Sequence, residues 1–504
     1  MNRLTSVFSV AFLLSGIFSS TIFAQDKLIP QQLSEQGPNF NTFFTSNGKL
    51  FSMNEDGILY SFKSDFSVGS KVKLGTLGDP ATTRLLGIHT VGETASLIIA
   101  NVNSAASTFK DMKVYRNTVG EQTLKPGKQA ELGTYERTYT LSTYKGGDRN
   151  DAIVANYGAD WLESEDHSKM VLMVPTNMRF SGLLNLNFYD DAQKVVFAQT
   201  IKLVGGNLNE NIIDQLVSNA GDYYMIYGNI GGAGVKDATL YYIDHKTKEV
   251  TTKPLLLPCK NYNALYLKED LSGNINLIGT YNNLKSAAQN FKAEGFFVAQ
   301  LNDKAEAINY KSIPFNGSKV KGLDEATSTL ENLVIRDVKY NADKSFTIFS
   351  QYLFTTKEVN GTALNANDLI TFSLDKKLQF KWIEAIPRTL KGTMDNKSSV
   401  VFSTFETDQA YYLVYLNGLS SGIVDLTKES NKTGIFVSKI SKTSGTLDAP
   451  HKCFDFSTDS DENSKWQFNL LNVIQLNTNE LGFPLAKENL KTHTIQSYLQ
   501  KISL

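Results

Sequence analysis

The chain is short of several residue types that would place it in a particular class of protein. It has 504 residues but only two cysteines, Cys259 and Cys453. Two are too few to hold a chain of this size together by disulfides or to form a metal site by themselves. The 11 prolines and 35 glycines exclude collagen-like and linker-dominated chains. A net charge of −1 gives no overall field that attracts nucleic acid or an anionic membrane.

Long apolar segments are also scarce, and the longest stands near residue 1. Arg3 precedes an apolar stretch from Val7 to Phe18, and Ala24 offers a small residue before Gln25. This pattern predicts a cleaved signal peptide of residues 1–24 and an exported, soluble protein in the periplasm or outside the cell. The alternative is a membrane anchor, but the stretch is shorter than the roughly 20 apolar residues of a spanning helix. A lipoprotein anchor is not predicted, because no cysteine lies at the cleavage site.

Short apolar strands joined by polar turns make up most of the remaining sequence. At about eight places, roughly 45–75 residues apart, a turn rich in Asp, Asn, Gly or Glu leads directly into an apolar strand. These strands are KLFSM from Lys49, TASLIIAN from Thr94, SKMVLMV from Ser168, YYMIYGN from Tyr223, NINLIGTY from Asn274, SFTIFSQY from Ser345, YYLVYLN from Tyr411 and the strand opened by Asn479 and Glu480. A second hairpin follows, as in LLNLNFYDD from Leu183 and VVFAQTIKL from Val195.

Four antiparallel strands per repeat predict an all-β fold, a β-propeller of four-stranded blades. A single sheet of this kind has two apolar faces, and neighbouring sheets around an axis bury both of them. Strands such as YYMIY and VLMV, which are apolar on both faces, fit this arrangement. We expect eight blades in one domain of residues 25–504. Seven blades, or two β-sandwich domains built from the same strands, are the alternatives.

The two ends of the mature chain are expected to complete one blade. HTIQSYLQKISL, the last segment, has no partner strand after it, and KLIPQQLSE from Lys27 is a lone extended segment. Their pairing would close the ring and cover edges that otherwise promote aggregation. Between the strands, residues 101–111, 283–293, 391–398 and 457–464 are interpreted as loops or connectors. Residues 316–332 are interpreted as a loop insertion with a short helix.

One part of the chain resembles a known group of proteins. VIRDVKYNADKSFTIFSQYLF, followed by ANDLITFSLDKKLQFKWIEAIPR, lies between Leu333 and Arg388 and looks like uncharacterised exported propeller-like proteins of Gram-negative bacteria. AEGFFVAQLNDKAEAINYKSIPF from Ala293 is similar to the preceding blade. The likeness covers about a quarter of the chain, and Ala366 stands where those proteins have an aromatic residue. It implies the fold and export, and no functional residue or activity.

Residues that could perform chemistry are scattered rather than arranged in a known motif. The five histidines are not at the spacing of a metal motif, and turn or strand-end roles are favoured for His89, His167, His245, His451 and His493. The acidic run of Asp459, Asp461 and Glu462 lacks the spacing of an EF-hand calcium loop, so a solvated turn is favoured. Turns also explain the acidic residues Asp148, Asp151, Asp190 and Asp191. No G-x-S-x-G motif or phosphate-binding glycine loop is present.

Cysteine and tryptophan offer a few further hypotheses. Cys453 lies two residues after His451, so a thiol–imidazole pair on one strand face is conceivable, but a packed thiol is favoured. On the predicted ring the two cysteines lie three blades apart, and we expect two free thiols. Trp161 has polar neighbours and is interpreted as packed under a loop, with stacking on a sugar or peptide as the alternative. Trp382 and Trp466 are predicted to lie in the core.

The sequence therefore predicts an exported, calcium-independent, non-enzymatic binding or scaffold protein. A protein or a glycan would bind to loops at one end of the propeller. No catalytic, metal or cofactor residue is predicted, and the oligomeric state stays open. The alternative is a polysaccharide-acting hydrolase or lyase with carboxylates at the central channel. A charge-rich channel mouth with facing Asp or Glu would favour the enzyme, and aliphatic and hydroxyl side chains would favour binding.

Overall fold

The structure is a computed structural model that describes most of the chain after residue 30. The described residues are 31–32, 42–46, 49–53, 57–63, 68–74, 83–91, 93–102, 110–121, 124–137, 159–176, 182–203, 210–231, 234–284, 291–315, 329–358, 361–392, 400–419, 423–426, 432–458, 464–468, 473–477, 479–492 and 494–504. The predicted signal peptide lies outside them. In this part of the chain, no helix is long and apolar enough to cross a membrane.

The described strands follow one another in antiparallel groups of four, after a short first strand, β1 (Gln31–Gln32). Sheet 1 contains β2 (Thr42–Ser46), β3 (Lys49–Met53), β4 (Ile58–Phe62) and β5 (Val68–Lys73). Sheet 2 contains β6 (Thr83–Val91), β7 (Thr94–Val102), β8 (Lys110–Gly120) and β9 (Pro126–Arg137). Sheet 3 contains β10 (Asp160–Glu163), β11 (Met170–Thr176), β12 (Leu183–Tyr189) and β13 (Val195–Lys202).

The next two groups are joined into one sheet through a single residue pair, Val235 and Tyr262. Sheet 4 contains β14 (Glu210–Val217), β15 (Tyr223–Gly231), β16 (Gly234–Ile243) and β17 (Val250–Pro254). Sheet 5 contains β18 (Asn261–Glu269), β19 (Ile275–Asn282), β21 (Gly295–Leu301) and β22 (Ala307–Pro314). Beside it, β20 (Lys292–Ala293) pairs with β23 (Leu330–Glu331).

The last three groups carry small additions to the four-strand pattern. Sheet 6 contains β24 (Leu333–Tyr340), β25 (Phe346–Glu358), β26 (Gly361–Leu374) and β27 (Phe380–Ile386), with β28 (Leu390–Gly392) on β26. Sheet 7 contains β29 (Phe402–Glu406), β30 (Ala410–Gly418), β32 (Thr433–Ser441) and β33 (His451–Asp455). The short strand β31 (Val424–Asp425) pairs with β28 in parallel, and a 3-10 helix spans Phe456–Thr458. Sheet 8 contains β34 (Ser464–Phe468) and β35 (Ile474–Asn477), both on β36 (Glu480–Asn489), then β37 (Thr494–Ser503) and β1.

Short turns join most first strands to second strands and most third strands to fourth strands of the sheets. Because successive strands are antiparallel, the turns after the first and third strands share one end, which we call the tight-turn end. Many of these turns begin with Asp or Asn and close with a residue in the left-handed region, as in Asp190–Gln193. A residue with left-handed backbone conformation after a type I turn gives the loop a twist that matches the twist of the two strands it joins. Seven of the eight sequence-predicted turns lie between the first and second strands of a sheet, and the eighth, Asn479-Glu480, lies where β35 leads into β36.

The second strand of each sheet buries residues on both of its faces. In β7, Leu97 and Ile99 pack with side chains of sheet 1, whereas Ile98 and Ala100 pack with side chains of sheet 3. The same alternation occurs in β11, β15 and β30. Core clusters therefore lie between all consecutive pairs from sheet 1 to sheet 8. A further small cluster joins Leu50 of sheet 1 to Leu499 of sheet 8.

The first strands of successive sheets contact one another. Contacts run from β6 to β10, β14, β18 and β24 in turn, and β2 contacts β35 of the last sheet. The Thr45 hydroxyl donates a hydrogen bond to the Gln475 carbonyl across the latter contact, at 3.2 Å. These strands therefore form a common inner layer, and we call them the inner strands.

Several predicted loops are shorter than expected, because strand pairing continues into them. Residues 101–102 and 110–111 belong to β7 and β8, and residues 292–293 form β20. Residues 330–331, predicted as part of a loop insertion with a short helix, form β23; residues 316–328 lie outside the described chain. Residues 391–392 belong to β28, and Ser464 begins β34. In each case a neighbouring strand pairs with the backbone N–H and C=O groups of these residues. The polar composition of the segments did not indicate this pairing.

Two predictions about the ends and the cysteines agree with the structure. β1 lies within KLIPQQLSE and pairs antiparallel with β37, with Gln31 opposite Leu499. Cys259 and Cys453 are both free thiols. Cys259 packs in the core between sheets 4 and 5, and Cys453 in the core that sheet 7 shares with sheet 8.

A glycine at the left-handed turn position of sheet 6 is expected to stabilise the protein. Lys344 is exposed and has a φ of 65°, which costs an L-residue about 1 kcal/mol. Lys344→Gly should raise the free energy of unfolding, measured in urea, by about 0.5–1 kcal/mol. This is the net gain, because glycine also increases the conformational entropy of the unfolded chain, which opposes folding. The matched control is Lys376→Gly, an exposed lysine in a similar turn that lacks a positive φ. A gain in the control as large as in Lys344→Gly would contradict this account.

Candidate functional site

Bulges in the inner strands place acidic side chains between neighbouring sheets. The register shifts at Ile212/Asp214 in β14 and at Ile335/Asp337 in β24. Such a bulge re-aims the residues next to it. An oxygen of Asp214 accepts a hydrogen bond from the backbone N–H of Leu267 in sheet 5, at 2.5 Å. The bulge aspartate of one sheet is thus tied to the inner strand of the next.

Asp337 connects three sheets. Its carboxylate accepts hydrogen bonds from the hydroxyl groups of Tyr266 in sheet 5, at 3.2 Å, and of Thr404 in sheet 7. In sheet 3, Asp160 accepts a hydrogen bond from the Gln215 amide of sheet 4, at 3.2 Å. Polar side chains therefore link the first strands of sheets 3 to 7 in addition to the apolar cores between them.

Charged side chains of four sheets gather near the tight-turn end of the inner strands. Lys268 of sheet 5 pairs with Glu165 of sheet 3 at 3.0 Å, which spans the intervening sheet 4. Lys339 lies 3.3 Å from Asp337, and Lys442 lies 2.8 Å from Glu406. We call this group the inner charge cluster; its members are Glu165, Lys268, Asp337, Lys339, Glu406 and Lys442.

The cluster is electrostatically coupled across sheets. Burial opposes the charge of Lys339, but the carboxylates of Asp337, Glu406 and Glu165 outweigh it and raise the pKa of this lysine. Lys442 also lies over the ring of Tyr411, 4.9 Å from its centroid. Among the described members of the cluster, each carboxylate has a lysine or hydroxyl partner, so the cluster is polar and close to neutral.

A second polar group surrounds Glu163 at the end of β10. Its Oε1 accepts a hydrogen bond from the Trp161 indole nitrogen at 2.9 Å and lies 3.5 Å from Nδ1 of His89, which is buried. Its Oε2 lies 2.7 Å from Nδ1 of the exposed His167. Burial raises the pKa of Glu163, but its bonds to His89, Trp161 and His167 prevail and lower it below its usual value. Glu163 is thus a carboxylate shared by two imidazoles and an indole.

Trp161 is packed, as favoured, but it lies in β10 in the core between sheets 2 and 3 rather than under a loop. It is 7% exposed, packs 5.3 Å from the Tyr189 ring and lies against Gly87 of sheet 2. A Cβ on Gly87 would stand 2.3 Å from the indole, so only glycine fits there. Trp382 and Trp466 are half-buried and pack against Gly445 and a group of aromatic rings, respectively. No tryptophan of this chain is left as an exposed stacking surface.

The other predicted residues occupy mainly structural positions. Asp190 caps its own turn by accepting a hydrogen bond from the Lys194 N–H at 2.8 Å. The Cys453 thiol donates to the His451 carbonyl at 3.6 Å and is buried, so it is a packed thiol. Burial raises the pKa of Cys453 and lowers that of His451. His245 lies 2.7 Å from Asp222. Asp148, Asp151, Asp459, Asp461, Glu462 and His493 lie outside the described residues.

Sequence reasoning missed the aspartates of the inner strands and Glu163. One signal was present: Ile-Ile-Asp at 212–214 and Ile-Arg-Asp at 335–337 repeat the same order of residue types in the same strand of two units. A bulge that follows a β-branched residue is difficult to recognise, because it shifts the alternation on which strand prediction depends.

The link between His89 and Glu163 predicts a pH-dependent stability. The neighbouring Glu163 carboxylate raises the pKa of His89 above 6.5 against the effect of burial, aided by the Asp191 carbonyl. A raised histidine pKa stabilises the fold below the unfolded pKa, and this contribution is lost as the pH rises through the folded pKa. The free energy of unfolding of the wild type minus that of His89→Gln should therefore fall by about 1 kcal/mol between pH 6 and pH 9.

The control for this experiment is His451→Gln, which should show the opposite slope. Burial lowers the pKa of His451, so protonation of this residue destabilises the fold at acidic pH. Urea unfolding at each pH measures both differences. The same slope in the two variants would contradict the proposed role of Glu163.

Comparison with known proteins gives no family. No protein-family model matches the sequence, and no curated protein is significantly similar to it. Among solved structures, BamB from Moraxella catarrhalis is 8% identical, with a TM-score of 0.39 over 94% of this chain and 100% of that one. Prolyl oligopeptidase B from Galerina marginata is 8% identical, with a TM-score of 0.41 over 90% of this chain and 56% of that one. TM-scores below 0.5 establish neither fold nor function, so the resemblance to exported Gram-negative proteins stays a prediction.

Proposed function

We propose that the eight sheets form a closed, eight-bladed β-propeller. Three observations support the proposal: apolar cores lie between all consecutive sheets, a core cluster joins sheet 8 to sheet 1, and inner strands contact one another from sheet 2 to sheet 6 and between sheets 1 and 8. The pairing of β1 with β37 supplies the outer strand of sheet 8. In a two-layer sandwich each sheet meets one partner, whereas here the second strands pack against neighbours on both faces.

We further propose that the protein is an exported, non-catalytic scaffold that binds a partner through the inner charge cluster. The observation that carries this proposal is the pairing of every described carboxylate in the cluster. A glycosidase needs two carboxyl groups that reach the substrate, one of them a proton donor. The acids and lysines of the cluster are paired with each other on a rigid layer of strands. They can instead form ion pairs with charged groups of a ligand.

A protein segment of mixed charge is the partner that the described residues favour. Sugar-binding sites commonly offer an exposed aromatic face, and Trp161, Trp382 and Trp466 are all packed. The lysines and acids of the cluster alternate around one region, so a segment with both charges would find complementary groups. Export of the protein is proposed from the leader sequence.

One observation favours the alternative, a polysaccharide-acting enzyme. Glu269 lies beside the inner charge cluster and is 6% exposed. Burial raises its pKa, as do Glu165, Asp166 and Asp270, although the Asn219 N–H bound to it acts in the opposite direction. A carboxyl group with a raised pKa is a typical proton donor of glycosidases. Its low exposure is the reason that we place this function second.

Binding is tested with a double variant of the cluster. Immobilised peptides of varied charge should capture the mature protein, and Lys268→Ala with Lys339→Ala should weaken capture of mixed-charge peptides about tenfold, with added salt acting in the same direction. The matched control is Lys236→Ala with Lys357→Ala, which removes two exposed lysines from the opposite end of the sheets. Equal loss in the control, or polysaccharide hydrolysis that Glu269→Gln abolishes, would overturn the proposal.

Closure of the ring is tested by a cross-link in sheet 8. Gln32 lies opposite Tyr498 in the pairing of β1 with β37. Gln32→Cys with Tyr498→Cys should form a disulfide under mild oxidation, mapped by mass spectrometry, and should raise the thermal unfolding midpoint because it joins distant parts of the chain. The control pairs Gln32→Cys with Lys487→Cys on the adjacent strand β36. A cross-link in the control alone, or in neither variant, would contradict closure through these strands.

A further inference from the structure

Two adjacent turns of sheet 4 bring three potential metal ligands together at the tight-turn end. Asp222 stands directly before β15, and Asp244 and His245 follow β16. One ligand atom from each of these residues lies within 4.8 Å of the other two. The group is separate from the inner charge cluster, since it belongs to the second and third strands of its sheet.

The positions of the two carboxylates are fixed by bonds to one oxygen each. Oδ1 of Asp222 accepts the His245 backbone N–H at 3.0 Å and lies 2.7 Å from Nδ1 of the same residue. Oδ1 of Asp244 accepts the N–H groups of Lys246 and Thr247, at 2.7 and 3.0 Å. The Asp244 side chain also interacts with the Tyr242 hydroxyl. The imidazole, about one quarter exposed, remains accessible to solvent.

The group itself contributes two carboxylates, those of Asp222 and Asp244. Two buried tyrosines, Tyr224 and Tyr242, lie on the strands that adjoin these residues. The nearby lysine of sheet 3, Lys169, has its ammonium within 3.4 Å of Ser168 in its own turn.

We propose that Asp222, Asp244 and His245 bind a divalent transition-metal ion of the Zn²⁺ type. A ring nitrogen and two carboxylate oxygens are ligands that Zn²⁺ takes at about 2.0–2.2 Å, so small side-chain rotations complete the site. Calcium is disfavoured because it takes six to eight oxygen ligands, and imidazole suits Zn²⁺, Cu²⁺ and Ni²⁺. With three protein ligands, the ion keeps a position for water or for a group of a partner. This proposal does not depend on the proposed function.

The proposal is tested by metal titration of the full mature protein after treatment with a chelator. Calorimetry with ZnCl₂ should show one ion bound per chain, and Co²⁺ should give the visible absorption of a low-coordinate site. His245→Ala and Asp244→Asn should each weaken Zn²⁺ binding by at least about tenfold. Urea unfolding of the metal-free variants verifies that they fold. Calcium should compete poorly with Zn²⁺.

The matched control is His167→Ala, which removes an exposed turn histidine that also contacts a carboxylate. Its Zn²⁺ affinity should equal that of the wild type. Three results would each overturn the proposal: no Zn²⁺ binding by the wild type, unchanged binding in both His245→Ala and Asp244→Asn, or loss of binding in His167→Ala instead. The last result would place the ion at Glu163.

Discussion

The structure depends on one constraint: a four-stranded sheet that is apolar on both faces must be covered on both faces. Burial of apolar surface contributes about 25 cal/mol for each Å² removed from water, and no sheet of this chain can bury its two faces alone. In β15, Tyr224 and Ile226 face one neighbouring sheet, and Tyr223, Met225 and Tyr227 face the other. A chain of such sheets has two uncovered outer faces until its first and last members meet. Leu50 of sheet 1 and Leu499 of sheet 8 share one small cluster, on which the proposed closure rests.

The repeat was predictable from the sequence because each hairpin is specified by residues that are close together along the chain. An Asp or Asn at the start of a turn and an apolar strand after it specify a hairpin without help from the rest of the chain. Seven of the eight turns predicted from this pattern lie between a first and a second strand, and Asn479-Glu480 lies where β35 leads into β36. The free thiols followed from the same reasoning, since their separation depends on which strands hold the two cysteines.

The polar groups between the sheets were not predictable, because their partners are distant in sequence. Asp337 meets Tyr266 and Thr404, which lie 71 and 67 residues away, and Glu163 meets His89 of the previous sheet. Such pairs require both the order of the sheets and the bulge that turns the side chain toward its neighbour. The short pairings β20–β23 and β28–β31 were missed for a related reason: composition indicates a loop, but not that a second loop runs beside it.

Some of the longest connections leave the end of the sheets opposite the tight-turn end. Short turns join most first strands to second strands and most third strands to fourth strands, whereas links such as that from Arg137 to Asp160 leave from the opposite end. Added sequence there would disturb neither the turn geometry nor the cores. A reporter domain or an affinity tag placed within such a link is therefore compatible with an intact framework, whereas a three-residue turn such as that between β29 and β30 leaves less room for an insertion.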